Sequence, residues 1–468
     1  MSVDNAVNTI QDRLSQGLLD WDVGHGDLKK INEVLANLSP SERNEAISRL
    51  SGDDLKNWAQ EIHGLRGSLS AGEREALFND LAGGLDAEQM VRVVEAFGNE
   101  GHHDSVRELG AAVATHGSSE SRVAFVEAMA SRTTDQTSGY NPEPTHRNDV
   151  TDRVVADPDA QAVAEVLASL EGDYFHQAVD ALSDTQLQEV MQAGIYQAET
   201  SSRNGDITNF DSALAARIVD AAATSNDPAV QARIFDAGAD RLATIQGGGG
   251  QGAIPGEFGV DSRLAPARDE LTSALTGLIN SDTTGIVAQL ETSERGGDAL
   301  TTYLTEQIAA GREEEIGELL LKLQSGNDLS EDPIARFEAE TASGDRHNAQ
   351  VLGYFTGAIE AAVRNVTDDK VAQAEAVGAI FKGAIQYAGI AGSAGGPATS
   401  TTTATATHLT QGFVDDAVAS IQADGRALHE ELTTLAYPHD ADGVPYEGEQ
   451  SETPFDTARG RVLDAQSF

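Results

Sequence analysis

The chain has 468 residues and carries 31 Lys and Arg against 76 Asp and Glu, a formal net charge of −45. A surface that negative repels phosphate backbones and anionic headgroups, which argues against nucleic acid and against simple electrostatic membrane binding. The absence of cysteine removes disulfide frameworks, thiolate metal sites and thiol catalysis.

Hydrophobic residues make up 40% of the chain and aromatic residues 5%. The apolar side is mostly Ala, Leu and Val, which suits closely packed helices better than a β-sandwich. A chain of this length predicts roughly two to four domains. The low lysine and high aspartate content has two readings: adaptation to high salt, or a chain kept soluble through export or at high local concentration. Met1–Ile10 has neither a basic region nor an apolar stretch, so no Sec signal peptide is expected. The longest apolar candidate, Ala376–Pro397, is interrupted by Lys382 and Gln386. It reads as a buried helix followed by a Gly-rich turn, and no transmembrane helix is expected.

The N-terminal part reads as short capped helices. In Leu38-Ser39-Pro40-Ser41-Glu42-Arg43, Ser39 caps, Pro40 suits the first turn and Glu42 completes a capping box. Leu69-Ser70-Ala71-Gly72-Glu73-Arg74 repeats the pattern. Leu38, Ser39, Glu42, Arg43 and Leu50 recur as Leu69, Ser70, Glu73, Arg74 and Leu81, each 31 positions on. A second helix follows in each unit, opened by Ser51 with Asp54 and by Asp86 with Gln89. A degenerate two-helix repeat of this length stacks into an array or builds an all-α domain by partial duplication. A third helical stretch covers Arg122–Ala130. Thr133–Thr151, with Pro142 and Pro144, reads as a linker or long surface loop.

A second helical block opens at Asp157-Pro158, with Ser183 and Gln186 as another capping box and Asp227-Pro228 repeating the first signal. Ala213–Ala221 and Val230–Leu242 carry helical apolar spacing. Gly247–Gly259 is the clearest break, too Gly-rich for a packed element. Helices resume over Asp261–Gln324, and Asn327–Asp332 leads into a helix from Pro333. From Asn348 to Ala391, Val351, Leu352, Phe355, Ile359 and Val363 fall on one face. Gly392–Ala406 reads as a turn, and His408–Tyr437 as the returning helix of a hairpin.

The expected fold is therefore all-α: a multi-helix array of short capped helices, superhelical in its N-terminal part, with a C-terminal helical hairpin. The expected domains are a helical repeat domain over 1–132, a second helical domain over 152–246, a C-terminal helical domain with the hairpin over 261–437, and a flexible acidic tail over 438–468.

No catalytic motif stands out. His102, His103, Asp104 and His116 are the densest set of metal-ligand types, but convergence of His102 or His103 with His116 and a carboxylate competes with a polar inter-helix loop, and the loop carries the greater weight. Asp20, Asp22 and Asp27, with Gly24 and Gly26, offer carboxylates for a hard cation, yet no Glu stands at the twelfth position from Asp20. Asp440, Asp442, Gly443 and Glu449 come closer to a calcium loop, although its first position would be Pro438. Solvated turns or helix caps account for both sets. Gly247–Gly250 lacks the Lys-Ser/Thr ending of a phosphate loop. His116-Gly117-Ser118-Ser119 has no strand–turn–helix context for a nucleophile and reads as an N-cap. Acidic pairs that could serve glycan hydrolysis arise by chance among 76 carboxylates.

Gly17–Val23, Leu38–Arg43, Leu69–Arg74 with Leu77-Phe78, Asn327–Pro333 and Asn348–Gly357 resemble helical modules of large secreted proteins of Gram-negative bacteria. Those modules are similar to the non-catalytic regions of toxins and effectors delivered by specialised secretion or contractile injection systems. The resemblance implies no defined catalytic residues, no cofactor is expected, and no obvious toxic domain follows the helical part, a departure from the usual layout. It implies a non-enzymatic exported effector or scaffold acting through protein contacts. Two alternatives stand beside it: a membrane-active effector using the C-terminal helices, and a cell-wall glycan hydrolase using a carboxylate pair. The acidic surface points to a protein partner such as a basic chaperone, an immunity protein or a secretion apparatus. Localisation is expected to be bacterial, either exported without a Sec signal or cytoplasmic.

Overall fold

Local capping chemistry sets the helix starts in the computed structural model, which describes residues 2–14, 23–62, 69–98, 103–133, 158–193, 213–246, 265–327, 335–336, 339, 347–393, 411–424, 426–437 and 449–465. The Ser39 hydroxyl accepts from the Glu42 amide at 3.3 Å while the Glu42 carboxylate accepts from the Ser39 amide at 2.9 Å. Ser70 with Glu73, Ser51 with Asp54 and Ser183 with Gln186 make the same reciprocal pairs. The Ser118 hydroxyl accepts from the Ser121 amide at 3.2 Å, and Asp227 accepts from the Ala229 amide at 2.8 Å. Each pair satisfies amide groups that a helix start otherwise leaves without partners. The described residues hold 22 α-helices and no strand, so the all-α expectation holds.

Chain contacts divide the protein into two units. The first comprises Met1–Val230 and Gly247–Leu271. Its helices are α1 (Val3–Leu14), α2 (His25–Ala36), α3 (Pro40–Arg49), α4 (Gly52–Ile62), α5 (Ala71–Ala82), α6 (Ala87–Gly98), α7 (His103–His116), α8 (Ser119–Thr133), α9 (Pro158–Leu167), α10 (Gly172–Asp180), α11 (Asp184–Ala193) and α12 (Leu214–Ala222). From α4 onward, alternate helices pack on one another. One row runs α5, α7, α9, α11 and the other α4, α6, α8, α10, α12. This is the two-helix repeat α3–α4 and α5–α6 continued through three further pairs, each burying its apolar face against its neighbours. The later pairs lack the Leu-Ser-x-x-Glu-Arg letters, which is why only two copies are visible in the sequence. Small residues set the tightest spacing: a Cβ on Gly110 of α7 would lie 2.7 Å from the Ala162 Cβ of α9. Trp58, Phe78 and Phe97 fill the interior edge to face, with ring centres 5.8 and 5.9 Å apart.

The second unit comprises Gln231–Gln246 and Thr272–Phe468. It holds most of α13 (Pro228–Gln246) and α14 (Ala265–Ser281), then α15 (Thr283–Thr292), α16 (Gly296–Ala309), α17 (Glu313–Ser325), α18 (His347–Val366), α19 (Lys370–Ser393), α20 (Gln411–Ala423), α21 (Ala427–Ala436) and α22 (Glu449–Ala465). Helix α18 is its axis. It is buried on nearly every side and packs on α15, α16, α17, α19, α21 and α22. A helix apolar all round belongs inside a bundle. Two crossings are closed by glycine. Gly353 and Gly357, one turn apart on α18, face the α22 backbone, where a Cβ on Gly357 would stand 2.7 Å from the Arg459 carbonyl oxygen. Gly317 of α17 and Gly383 of α19 face each other's helices in the same way.

Three expectations need correction. Residues 449–465, expected as part of a flexible tail over 438–468, form helix α22, with Phe455, Ala458, Arg459 and Val462 buried. Its polar, Pro-containing composition hides an i, i+3, i+4, i+7 stripe that only a docking surface makes worthwhile. The Asn348–Ala391 pattern is two helices, broken at Thr367–Asp369, where the Asp369 carboxylate accepts from the Val371 and Ala372 amides. The return over His408–Tyr437 is likewise two helices, α20 packing along α19 and α21 on α18. The stretches 134–151, 247–259 and 394–406, expected as linkers or turns, and 328–333 lie outside the described residues.

Candidate functional site

In the first unit, arginines act as carbonyl clamps. Arg43 of α3 is buried; its Nε donates to Leu35 O at 3.2 Å, its Nη2 to Leu38 O at 3.4 Å and its Nη1 to the Asp80 carbonyl. Arg74, its counterpart in the next repeat, donates to Leu69 O at 2.8 Å and to both Glu108 oxygens at 2.8 Å. Leu38 and Leu69 are themselves 31 positions apart, so the clamp recurs with the repeat. Arg92 donates to Ile47 O and Leu50 O, and Arg122 to Val113 O and Ser169 O. The carbonyls held by Arg43, Arg92 and Arg122 lie at or just beyond helix C-termini, which carry partial negative charge, whereas Leu69 lies just before α5.

Their engagement leaves carboxylates facing outward. Along the row α4–α6–α8–α10, Asp53, Glu88, Glu95, Glu127 and Asp173 are exposed. Apolar exposure is scarce: Val366 and Val371 are the exposed large hydrophobic residues among those described.

The second unit holds a buried charge cluster. Glu360 of α18 is fully buried, and so is Arg459 of α22. Glu360 Oε2 accepts from Arg459 Nε at 3.0 Å, from Arg459 Nη2, and from His429 Nδ1 of α21 at 3.1 Å. Glu360 Oε1 pairs with Arg364 Nη2, one turn along α18. Arg459 Nη2 also donates to the His429 carbonyl at 2.7 Å, and Arg459 Nη1 is buried without a partner. Burial pushes the Arg459 guanidinium below its ordinary value, and Glu360 opposes that shift. The side chains of His429 and Arg364 are 51% and 49% exposed, so the cluster runs from the core to the surface.

Two further polar groups are internal. Buried Lys322 of α17 donates to Asn280 Oδ1 at 2.7 Å, pairs with Glu318 at 2.9 Å and lies 5.7 Å from the centre of the Tyr387 ring. Burial, reinforced by Glu318, raises the Tyr387 phenol. The Tyr303 hydroxyl and Gln307 amide converge on Thr276 Oγ1 at 3.1 and 2.8 Å, and burial holds the Tyr303 phenol well above its usual range. Gln307 Oε1 is buried without a hydrogen-bond partner.

Of the metal-ligand candidates, His102, Asp20, Asp22, Asp440 and Asp442 lie outside the described residues. His103 opens α7, and His116 closes it at an exposed position. No group of three or more His, Asp or Glu side chains placed to hold a metal ion occurs among the described residues. No helix among them is long and apolar enough to cross a membrane. Glu360, Arg364, His429 and Arg459 were not singled out from the sequence. The available signal was a Glu between Ile359 and Ala361 on the apolar run of α18, where a carboxylate needs a buried partner.

No protein-family model matches the chain, and no curated protein matches it.

Proposed function

We infer that the protein is a non-enzymatic helical scaffold that holds a basic protein partner against the first unit. The observation that carries this reading is the division of charge along stacked helices. Arg43, Arg74, Arg92 and Arg122 are spent on internal carbonyls and on the carboxylates of Asp80 and Glu108, while Asp53, Glu88, Glu95, Glu127 and Asp173 remain exposed on consecutive helices of one row. Stacked repeats offer extended surfaces, and charge complementarity steers and selects a partner. The scarcity of exposed large apolar side chains favours a salt-sensitive contact over a greasy one. Delivery out of the producing cell rests on the family resemblance alone; immunoblotting of culture supernatants from secretion-competent and secretion-deficient cells tests it.

The test of the scaffold is capture from lysate at low salt, followed by re-binding of the purified partner to the full chain. The expected partner is basic, dissociates as salt rises and binds the Glu88→Lys/Glu95→Lys/Glu127→Lys variant at least roughly tenfold more weakly. No retained partner, or one indifferent to both salt and charge reversal, would overturn the reading.

A further inference from the structure

The cluster around Glu360 has one chemically competent group at the surface, the imidazole of His429. A carboxylate only accepts hydrogen bonds, so the contact between Glu360 Oε2 and His429 Nδ1 at 3.1 Å requires the proton on Nδ1. In the neutral ring the lone pair then sits on Nε2, in a side chain 51% exposed. The residue is held at two points, because Arg459 Nη2 fixes the His429 backbone carbonyl at 2.7 Å while Glu360 holds the ring at Nδ1. Arg364, also half exposed, forms an ion pair without a hydrogen bond at the other oxygen of the same carboxylate, which places a guanidinium one carboxylate width from the histidine contact. Arg426, exposed at the N-cap of α21, precedes His429 by three residues and therefore lies on the same side of the helix. Arg364 and His429 thus meet at one carboxylate in a chain in which acids outnumber bases by more than two to one.

We propose that His429 is a phosphoryl-acceptor site, with Arg364 as the group that receives the incoming phosphoryl oxygens. The Nε2 lone pair attacks the phosphorus of a small donor with a good leaving group, such as an acyl phosphate or a phosphoramidate. The N–P bond forms as the bond from phosphorus to the leaving group breaks, and the leaving group departs with that electron pair. The ring keeps its Nδ1 proton and becomes a phosphoimidazolium. Its positive charge faces Glu360, as a carboxylate stabilises an imidazolium in acyl-transfer triads. The phosphoryl dianion faces the Arg364 guanidinium, whose planar fork suits it. This site lies in the second unit and is independent of the partner-binding reading of the first.

The experiment treats the full-length folded protein with potassium phosphoramidate at neutral pH and maps modified histidines by peptide mass spectrometry under alkaline conditions, where phosphohistidine survives. His429 is expected to be modified roughly tenfold faster than the exposed His116, which lacks the carboxylate arrangement. Arg364→Ala is expected to erode that preference while leaving the circular dichroism spectrum unchanged. Glu360→Gln should abolish it, and the comparison of two histidines within the unaltered chain stands even if that variant misfolds. Equal rates at His429 and His116, or a preference untouched by Arg364→Ala, would overturn the proposal.

Discussion

Replacing Arg459 by Met tests whether the Glu360 cluster fastens α22 to the bundle. The guanidinium supplies Glu360 with two donors and the His429 carbonyl with a third. Met keeps most of the buried stem, so little cavity opens. What remains is a fully buried carboxylate facing only Arg364 and His429, both half in water. Removing one partner of a buried ion pair costs about 3–5 kcal/mol, because the other charge is left without compensation. Glu360→Leu strands Arg459 in the same way and should cost a similar amount. The double variant Glu360→Leu/Arg459→Met removes both charges at nearly constant volume. It should fall within about 1 kcal/mol of the parent or exceed it, since buried pairs barely repay their desolvation. His429 and Arg364 rehydrate at little cost in that background. Urea unfolding followed by circular dichroism gives the cycle, with constant slope as the check on a shared unfolded state. Hydrogen exchange over 449–465 should accelerate in each single variant and recover in the double. Single variants within about 1 kcal/mol of the parent, or a double variant as unstable as the sum of the singles, would refute the argument.

Glycine substitutions along α18 and α22 should separate by what they face. Gly353→Ala would drive a Cβ into the Phe455 carbonyl and is expected to cost about 1–3 kcal/mol, whereas Gly460→Ala, with nothing within 4 Å, should gain about 0.5–1 kcal/mol; thermal melts decide both. Truncating the buried Trp58 to Ala should destabilise the first unit by about 3–5 kcal/mol, read from denaturant unfolding. The Glu42 and Glu73 carboxyls lie below their usual value, chiefly through hydrogen bonds from Ser39 and Ser70. A depressed folded-state value stabilises above the ordinary carboxyl range and is lost as pH falls through it. Ser39→Ala/Ser70→Ala should therefore flatten the acid limb of a stability–pH profile, besides removing two caps worth about 1 kcal/mol each. Finally, a net charge of −45 predicts that the melting temperature rises as sodium chloride is added, which a melt series from low to high salt checks directly.

Helix starts were legible in the amino-acid order because their physics is local. Ser39 with Glu42, Ser70 with Glu73 and Ser183 with Gln186 find each other across three residues in any chain that turns helical there. The all-α class followed from those signals and from the spacing of Leu, Ala and Val. The candidate site did not, because its members have no local reason to meet. Glu360 and Arg459 are 99 residues apart, and neither carries a mark of burial until α22 docks on α18. Gly353 and Gly460 look alike in the sequence; only the approach of the Phe455 backbone makes one indispensable and the other replaceable. Arg43 and Arg74 could be seen to repeat, but that they close carbonyls rather than face solvent depends on which helix ends stack beside them. Short-range hydrogen bonding and apolar periodicity belong to the sequence by itself. Which charges are buried together, and which helix a glycine must admit, belong to tertiary packing, since desolvation and backbone approach exist only once distant segments are in place.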